Sequence, residues 1–71
     1  MELLLPDKKE IGKRLRKLRA EKTLDEVGSV LNVSEMSISL WERGERVPSD
    51  DLKIKIAAYY KKSVQSIFYK V

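Results

Sequence analysis

Residues 24–43, LDEVGSVLNVSEMSISLWER, decide the fold, because they predict two short helices joined by a tight turn. Thr23, just before this stretch, and Glu26 match a capping box, in which each side chain accepts a hydrogen bond from the other residue's backbone N–H at a helix start. Apolar residues then recur at helical spacing as far as Leu31. Asn32 follows, and asparagine tolerates the left-handed backbone conformation that ends many helices. A helix is therefore predicted from residue 24 to residue 31.

The second helix of the pair must begin almost at once, and Ser34 is its predicted N-cap. Ile38 and Trp41 form its inward stripe, and Trp41 is assigned to the core because a large aromatic side chain anchors a small core. Gly44 is the predicted helix stop. The residues left on the outward side are related by three, four and seven positions, and they are Glu35, Met36, Ser39, Leu40 and Arg43. This outward face is the candidate functional surface.

Three further helices are predicted around this pair, so the fold class is all-α. The apolar residues Ile11, Leu15 and Leu18 have the spacing of one helix face and predict a first helix over residues 8–22. A fourth helix is predicted to start after Ser49 and a short fifth one after Ser63. The first helix also carries charged residues on its remaining faces, where long cationic side chains are expected to be solvated. These are Lys9, Lys13, Arg14, Arg16 and Lys17.

Residues 1–7 are expected to form an N-terminal arm, and residues 8–71 a single domain. Two interpretations of the arm remain open. Either it is disordered, as chain termini often are, or its leucines at positions 3–5 dock on an apolar groove of this subunit or of a partner.

The chain contains neither cysteine nor histidine, which restricts its chemistry. It cannot form a disulfide or a thiolate metal site, and it lacks the commonest general base and metal ligand. It also has no glycine-rich phosphate loop and no metal-ligand spacing. The sequence therefore predicts no enzyme activity, no metal, no cofactor and no small-molecule ligand. The absence of cysteine fits a reducing cytoplasm, and the leucine run at positions 3–5 is too short for a signal peptide or a membrane span.

The net charge of +4 is unevenly distributed along the chain. Residues 1–22 carry +4, residues 23–44 carry −3 and residues 45–71 carry +3. The predicted helix pair is thus acidic and its flanks are basic, which suits a protein that attracts phosphates around the second helix rather than through it. Charge alone fits equally well a small helical domain that is kept soluble by its charged surface.

Several segments at fixed spacing carry a family resemblance. They run from IGKRLRKLRAEK at residues 11–22, through Val33 and Ser34 in the turn and ISLWERGERVPS at residues 38–49, to Phe68. In these segments the chain resembles the helix-turn-helix proteins of the Cro and repressor type, also called the XRE family. The resemblance implies a compact, five-helix, lambda-repressor-like domain. It also implies that the partner is double-stranded DNA, with the second helix of the pair in the major groove.

The resemblance further implies a function and a set of contact residues. The function is that of a sequence-specific transcription regulator, a repressor, in the cytoplasm and associated with the nucleoid. Carried over residue by residue within the motif at residues 24–43, Glu35, Met36 and Leu40 meet base edges. The residues implied to lie near the sugar-phosphate backbone, or to grip it, are Ser34, Ser37, Ser39, Arg43 and Arg46.

Three positions outside this contact set also follow from the resemblance. Arg19 is implied to form a structural ion pair with Glu42. Leu24 stands where many relatives have a glutamine that bonds a DNA phosphate, so one anchoring contact is expected to be lost. Lys61 stands where relatives often carry a helix-ending glycine, which predicts a different or strained exit from the fourth helix.

The base-facing side chains determine what this helix could read. Glu35 can accept a hydrogen bond from a cytosine amino group, whereas Met36 and Leu40 can only pack on thymine methyl groups. A half-site rich in T and C on the contacted strand is therefore predicted. An exposed pair of Met36 and Leu40 on an acidic helix is also typical of protein-binding surfaces. The alternative is therefore a protein–protein interaction module that keeps this fold and docks a partner through those two residues.

A homodimer is expected from the resemblance, because one helix contacts few bases and paired half-sites match a two-fold axis. The predicted interface is the fifth helix and the tail, with Ile67, Phe68, Tyr69 and Val71. The alternative is that these residues close the subunit's own core.

Overall fold

Five helices build the structure, a computed structural model that describes residues 7–69. They are α1 (Lys8–Arg19), α2 (Leu24–Leu31), α3 (Glu35–Glu42), α4 (Asp50–Tyr60) and α5 (Val64–Phe68). No strand occurs within residues 7–69, so the all-α prediction is confirmed. The leucines at positions 3–5 and Val71 lie outside the described residues.

Polar N-caps start all five helices. Asp7, Ser34, Ser49 and Ser63 each accept a hydrogen bond from the backbone N–H three residues later, as does Thr23. At Thr23 the predicted capping box is complete, because the Glu26 N–H donates to Thr23 Oγ1 at 3.0 Å and the Thr23 N–H donates to Glu26 Oε1 at 2.8 Å. Each cap satisfies backbone donors that a helix start leaves without an internal partner.

A left-handed residue ends α2, as the sequence predicts, and another ends α4, where the resemblance predicts a different or strained exit. Asn32 has φ 61° and ψ 46°, and Lys61 has φ 59° and ψ 44°. Lysine gains nothing from this conformation, since its Cβ is crowded there and no local side-chain hydrogen bond compensates as it can for asparagine. The exit from α4 is therefore strained where a glycine would relax it.

The end of α1 differs from the prediction. The helix stops at Arg19 rather than continuing to residue 22, because Ala20 has φ 51° and ψ −116°. Those angles belong to the first central residue of a type II′ turn, and the Lys22 N–H closes this turn by donating to the Arg19 carbonyl oxygen at 2.9 Å. A tight turn thus replaces the last predicted helical turn and connects α1 directly to the cap of α2.

Within residues 7–69, the core lies between the helices and contains ten buried apolar residues. Ile38 and Trp41 of α3 are only 2% and 5% exposed, which confirms the predicted inward stripe of that helix. The complete set is Ile11, Leu15, Val27, Leu31, Ile38, Trp41, Ile56, Ala57, Ile67 and Phe68.

The predicted dimer patch on α5 is wrong for two of its members, Ile67 and Phe68. Ile67 is 1% exposed and Phe68 is 0% exposed, so both close the core of their own subunit. Tyr69 is half-buried and packs against the same core. A domain this small buries little surface, so its last helix is needed to pack against α1 and α4 and complete the core.

Arg14 holds the C-terminal end of α5 in place. Its Nη1 donates to the carbonyl oxygens of Ser66, Ile67 and Tyr69 at 3.2, 3.1 and 3.0 Å. Those carbonyls belong to the last turn of α5 and the residue that follows it, where backbone acceptors lack partners within the helix. The prediction that Arg14 belongs to a solvated face is therefore incomplete, because its guanidinium caps a distant helix.

A close backbone contact places α3 against α1. A Cβ atom at Gly12 would lie 2.6 Å from the carbonyl oxygen of Glu42 and 2.7 Å from that of Trp41. Only glycine leaves room for this approach. The second half of α3 therefore rests directly on the first half of α1, and this contact orients α3 in the molecule.

Candidate nucleic-acid interface

The turn between α2 and α3 is compact. Gly28 makes the corner possible, since a Cβ there would lie 2.8 Å from the carbonyl oxygen of Val33. Asn32 turns the chain, its N–H bonding back to the Gly28 carbonyl, and the Val33 N–H reaches the same oxygen at 3.0 Å. Ser34 then starts α3 two residues after Asn32. The helix pair predicted from residues 24–43 is thus present as a helix-turn-helix unit.

Two hydroxyl groups define the start of α3. The Ser37 N–H donates to Ser34 Oγ at 3.1 Å, and Ser34 Oγ donates to Ser37 Oγ at the same distance. Ser34 is exposed and Ser37 is half-buried. This pair fixes the first turn of α3 and leaves hydroxyl oxygen at the surface beside Glu35.

The outward face of α3 is exposed most at its start. Met36 is 62% exposed, one of the largest exposures of an apolar side chain among residues 7–69, and its neighbour Glu35 is also exposed. Ser39 and Leu40 are half-buried. The predicted outward set is therefore on one face, but Leu40 offers less free apolar surface than Met36.

Arg43 and Arg46 lie at the far end of the same face, in the loop that joins α3 to α4. Both side chains are exposed. The backbone turns back here, since the N–H groups of Glu45 and Arg46 donate to the Leu40 carbonyl oxygen at 2.9 and 3.3 Å. Gly44 has φ 78°, and a Cβ there would lie 2.9 Å from Lys9 Cα. The loop that carries both arginines is thus pinned against the start of α1.

Sequence reasoning missed the partner of Arg43. Glu45 lies two residues later, and the distance from Arg43 Nε to Glu45 Oε2 is 3.5 Å, with both side chains 55% exposed. The sequence predicts only a solvated position for Lys9, but Lys9 also packs against the same loop at Gly44. The charge pattern of the loop, Arg-Gly-Glu-Arg, was the available signal for the ion pair.

The ion pair that the resemblance implies is present at the C-terminal end of α3. Arg19 and Glu42 are joined by two parallel hydrogen bonds of 2.7 and 2.9 Å, and their side chains are 14% and 8% exposed. The hydrogen bond to Glu42 raises the pKa of Arg19, so this guanidinium stays charged. Arg19 Nη1 also donates to the Lys22 carbonyl oxygen at 2.7 Å. The pair thereby connects α1, the following turn and the end of α3.

Residues 7–69 hold no cluster of three or more Asp, Glu, His or Cys side chains that could bind a metal ion. Over the same residues, no helix has the length and apolar character needed to cross a membrane.

Comparison with known proteins adds a family match and several solved structures. Residues 13–67 match the family model described as helix-turn-helix. The clp gene regulator ClgR from Corynebacterium glutamicum is 31% identical with a TM-score of 0.75, over 84% of this chain and 66% of that chain. No curated protein matches the sequence.

Two further solved structures share the fold. The restriction-modification controller protein C.AhdI from Aeromonas hydrophila has a TM-score of 0.75 and 24% identity, over 84% of this chain and 94% of that chain. The DNA-binding domain of BldD has a TM-score of 0.70 and 23% identity, over 86% of this chain and 92% of that domain.

Proposed function

The chain belongs to the XRE-type helix-turn-helix family of DNA-binding transcription regulators, and from that premise we propose that it is a sequence-specific repressor that inserts α3 into the major groove of double-stranded DNA. The observation that carries the proposal is the division of α3 into two sides. Ile38 and Trp41 are buried, while Glu35 and Met36 on the other side are exposed. A rigid helix with one free face is what major-groove reading requires.

Base reading is assigned to Glu35, Met36 and Leu40. The Glu35 carboxylate accepts a hydrogen bond from the amino group of cytosine, and Met36 packs on a thymine methyl group. Leu40 is half-buried, so its share of apolar contact is smaller. We expect a half-site rich in T and C on the contacted strand.

Backbone contact is assigned to the two ends of the α3 face. The exposed Arg43 and Arg46 bind phosphates at one end, where they position the protein without reading sequence. At the other end and along the helix, hydroxyl groups are available to sugar or phosphate oxygens. These belong to Ser34, Ser37 and Ser39.

Selection of bound duplexes from a random pool tests the proposal, followed by titration of the selected duplex in a mobility-shift assay. We expect an enriched site whose contacted strand carries T and C. Guanines at those positions would contradict the assignment of Glu35 and Met36. Failure to retard any duplex at low salt would contradict DNA binding and favour the protein–protein module, which would dock a partner through Met36 and Leu40.

Binding as a homodimer is part of the proposal, because a single α3 covers few base pairs. Two copies related by a two-fold axis would place their α3 helices on half-sites about 34–36 Å apart. Ile67 and Phe68 are buried within the subunit, so they do not supply the contact. Sedimentation of the protein with the selected duplex gives the stoichiometry directly, and a 1:1 complex on a non-repeated site would contradict a dimer.

A further inference from the structure

The first turn of α3 places an acceptor beside an apolar group. Glu35 and Met36 are consecutive, both exposed, and both on the face assigned to base reading. The carboxylate of Glu35 has no ion-pair or hydrogen-bond partner among residues 7–69. It also lies at the start of a helix, where the backbone favours a negative charge. Both side chains are therefore exposed and free of partners within residues 7–69.

A neighbouring cytosine and thymine can satisfy the two side chains separately, but no single ordinary base satisfies both. Cytosine offers an amino donor to a carboxylate but has no methyl group. Thymine offers a methyl group, but the neighbouring O4 is an acceptor that a carboxylate repels. Adenine offers a donor beside an acceptor, and guanine offers two acceptors. A base that suits both side chains needs an amino donor and a methyl group on the same major-groove edge.

The modified base 5-methylcytosine has this combination, with the amino group on C4 and the methyl group on the adjacent C5. We infer that Glu35 and Met36 meet the same base and read 5-methylcytosine there in preference to cytosine, so that DNA methylation on the contacted strand strengthens binding. This inference rests on the proposed function, because it requires α3 in the major groove. It adds a regulatory input, since a methylated site would be occupied at protein concentrations that leave the unmodified site free.

The expected size of the effect follows from the burial of one methyl group. Moving a methyl group out of water and against the Met36 side chain corresponds to about a 4-fold gain in affinity. The amino hydrogen bond to Glu35 is the same for cytosine and 5-methylcytosine, so it does not change the ratio. Thymine at that position would keep the methyl contact and lose the hydrogen bond, so the protein should bind it less tightly than 5-methylcytosine.

The experiment uses the selected duplex in several synthetic forms. Each cytosine of the contacted strand is replaced in turn by 5-methylcytosine, and the same replacement on the opposite strand of the same half-site is the matched control. We expect about 4-fold tighter binding for one contacted-strand position and no change for the control strand. Equal or weaker binding of every contacted-strand substitution would overturn the inference while leaving the proposed function intact.

Two variants assign the effect to its residue. Met36→Ala is expected to weaken binding to both duplexes and to bind the methylated and unmodified forms alike. Arg46→Ala is expected to weaken both forms and to keep their ratio, because that side chain contacts phosphate. A methylation preference that survives Met36→Ala would assign the methyl contact elsewhere and overturn the inference. Absence of binding to every duplex, modified or not, would instead contradict the proposed function itself.

Discussion

Arg19 and Glu42 form a two-pronged ion pair that joins the end of α1 to the end of α3, with Nε to Oε2 at 2.7 Å and Nη2 to Oε1 at 2.9 Å. Both side chains are largely removed from solvent. Because Glu42 is the last residue of α3, this pair and the Gly12 contact fix the C-terminal end of the helix against α1. The pair therefore contributes to the orientation of Met36 and Glu35 without touching them.

Removing one partner of this pair is expected to destabilise the fold. Arg19→Met or Glu42→Gln leaves a poorly solvated group without its counterpart, at a cost of about 3 kcal/mol. For a domain of this size that corresponds to a fall in Tm of about 12 °C or more. Thermal unfolding followed by circular dichroism measures it, with Lys17→Met on the exposed side of α1 as a control. A melting curve unchanged from the parent would show that the pair is not structural.

Ala20→Gly is expected to stabilise the protein. Ala20 has φ 51°, a region in which a Cβ atom is crowded and glycine is not, so relief of strain should raise the free energy of unfolding by about 1 kcal/mol. Ala58→Gly is the matched control. Ala58 is exposed within α4, where the same change should cost about 1 kcal/mol. Denaturant titration distinguishes them, and a loss of stability in both variants would argue against the turn geometry at Ala20.

The two loop arginines are expected to act on every DNA sequence alike. Arg43→Ala or Arg46→Ala removes one phosphate contact, so log Kd should depend less steeply on log salt concentration by about 0.9. Titrations of a selected and an unrelated duplex across a salt series provide the measurement. A changed site preference with an unchanged salt slope would mean that the residue contacts bases.

Glu45→Gln is expected to tighten binding to all duplexes. Phosphate binding by Arg43 is expected to compete with its ion pair with Glu45, so removing the pair should raise affinity by about 1.4- to 5-fold, the range of an exposed ion pair. The same substitution in the Arg43→Ala background tests the pairing by a double-mutant cycle. Glu21→Gln, in the turn after α1, controls for net charge. If Glu45→Gln raised affinity equally with and without Arg43, Glu45 would act only by repelling the DNA phosphates and not through its ion pair with Arg43.

The stability of the fold should fall in strongly alkaline solution because of Tyr60. Burial raises the pKa of Tyr60 to about 12 from 10.0, and the negative charge of Glu42 acts in the same direction. The folded state thus favours the neutral phenol, so this contribution is intact below about pH 10 and is lost as the pH rises to about 12. Denaturant titrations across this range should show the decline, and Tyr60→Phe should reduce it. An identical decline in Tyr60→Phe would assign it to other groups.

Most of the fold could be predicted from short sequence patterns. Helix starts depend on one polar side chain and the next three residues, so caps such as Thr23 and Ser34 could be identified from sequence. Long-range contacts could not. Arg14 bonds carbonyl groups more than 50 residues away, and its sequence neighbours give no sign of them. The location of Ile67 and Phe68 could not be predicted, because an apolar helix face can be buried either in the core of its own subunit or in an interface with another subunit.

The candidate site was predictable to the extent that helical periodicity defines it. A period of 3.6 residues separates Ile38 and Trp41 from Glu35 and Met36, and the structure confirms that division. The half-burial of Leu40 and the pairing of Arg43 with Glu45 depend on how the following loop turns back. That turn is set by Gly44 against α1, a contact that no local pattern reveals.

The absence of a side chain at Gly12 has a consequence for how such a protein could acquire a new target. Because the backbone of α3 contacts α1 directly at Gly12, α3 cannot shift or rotate relative to α1 without a steric clash. A new DNA-sequence preference would then have to come from substitutions of the exposed side chains of α3, while the helix keeps its position. Grafting only these exposed residues from another regulator should therefore transfer that regulator's sequence preference.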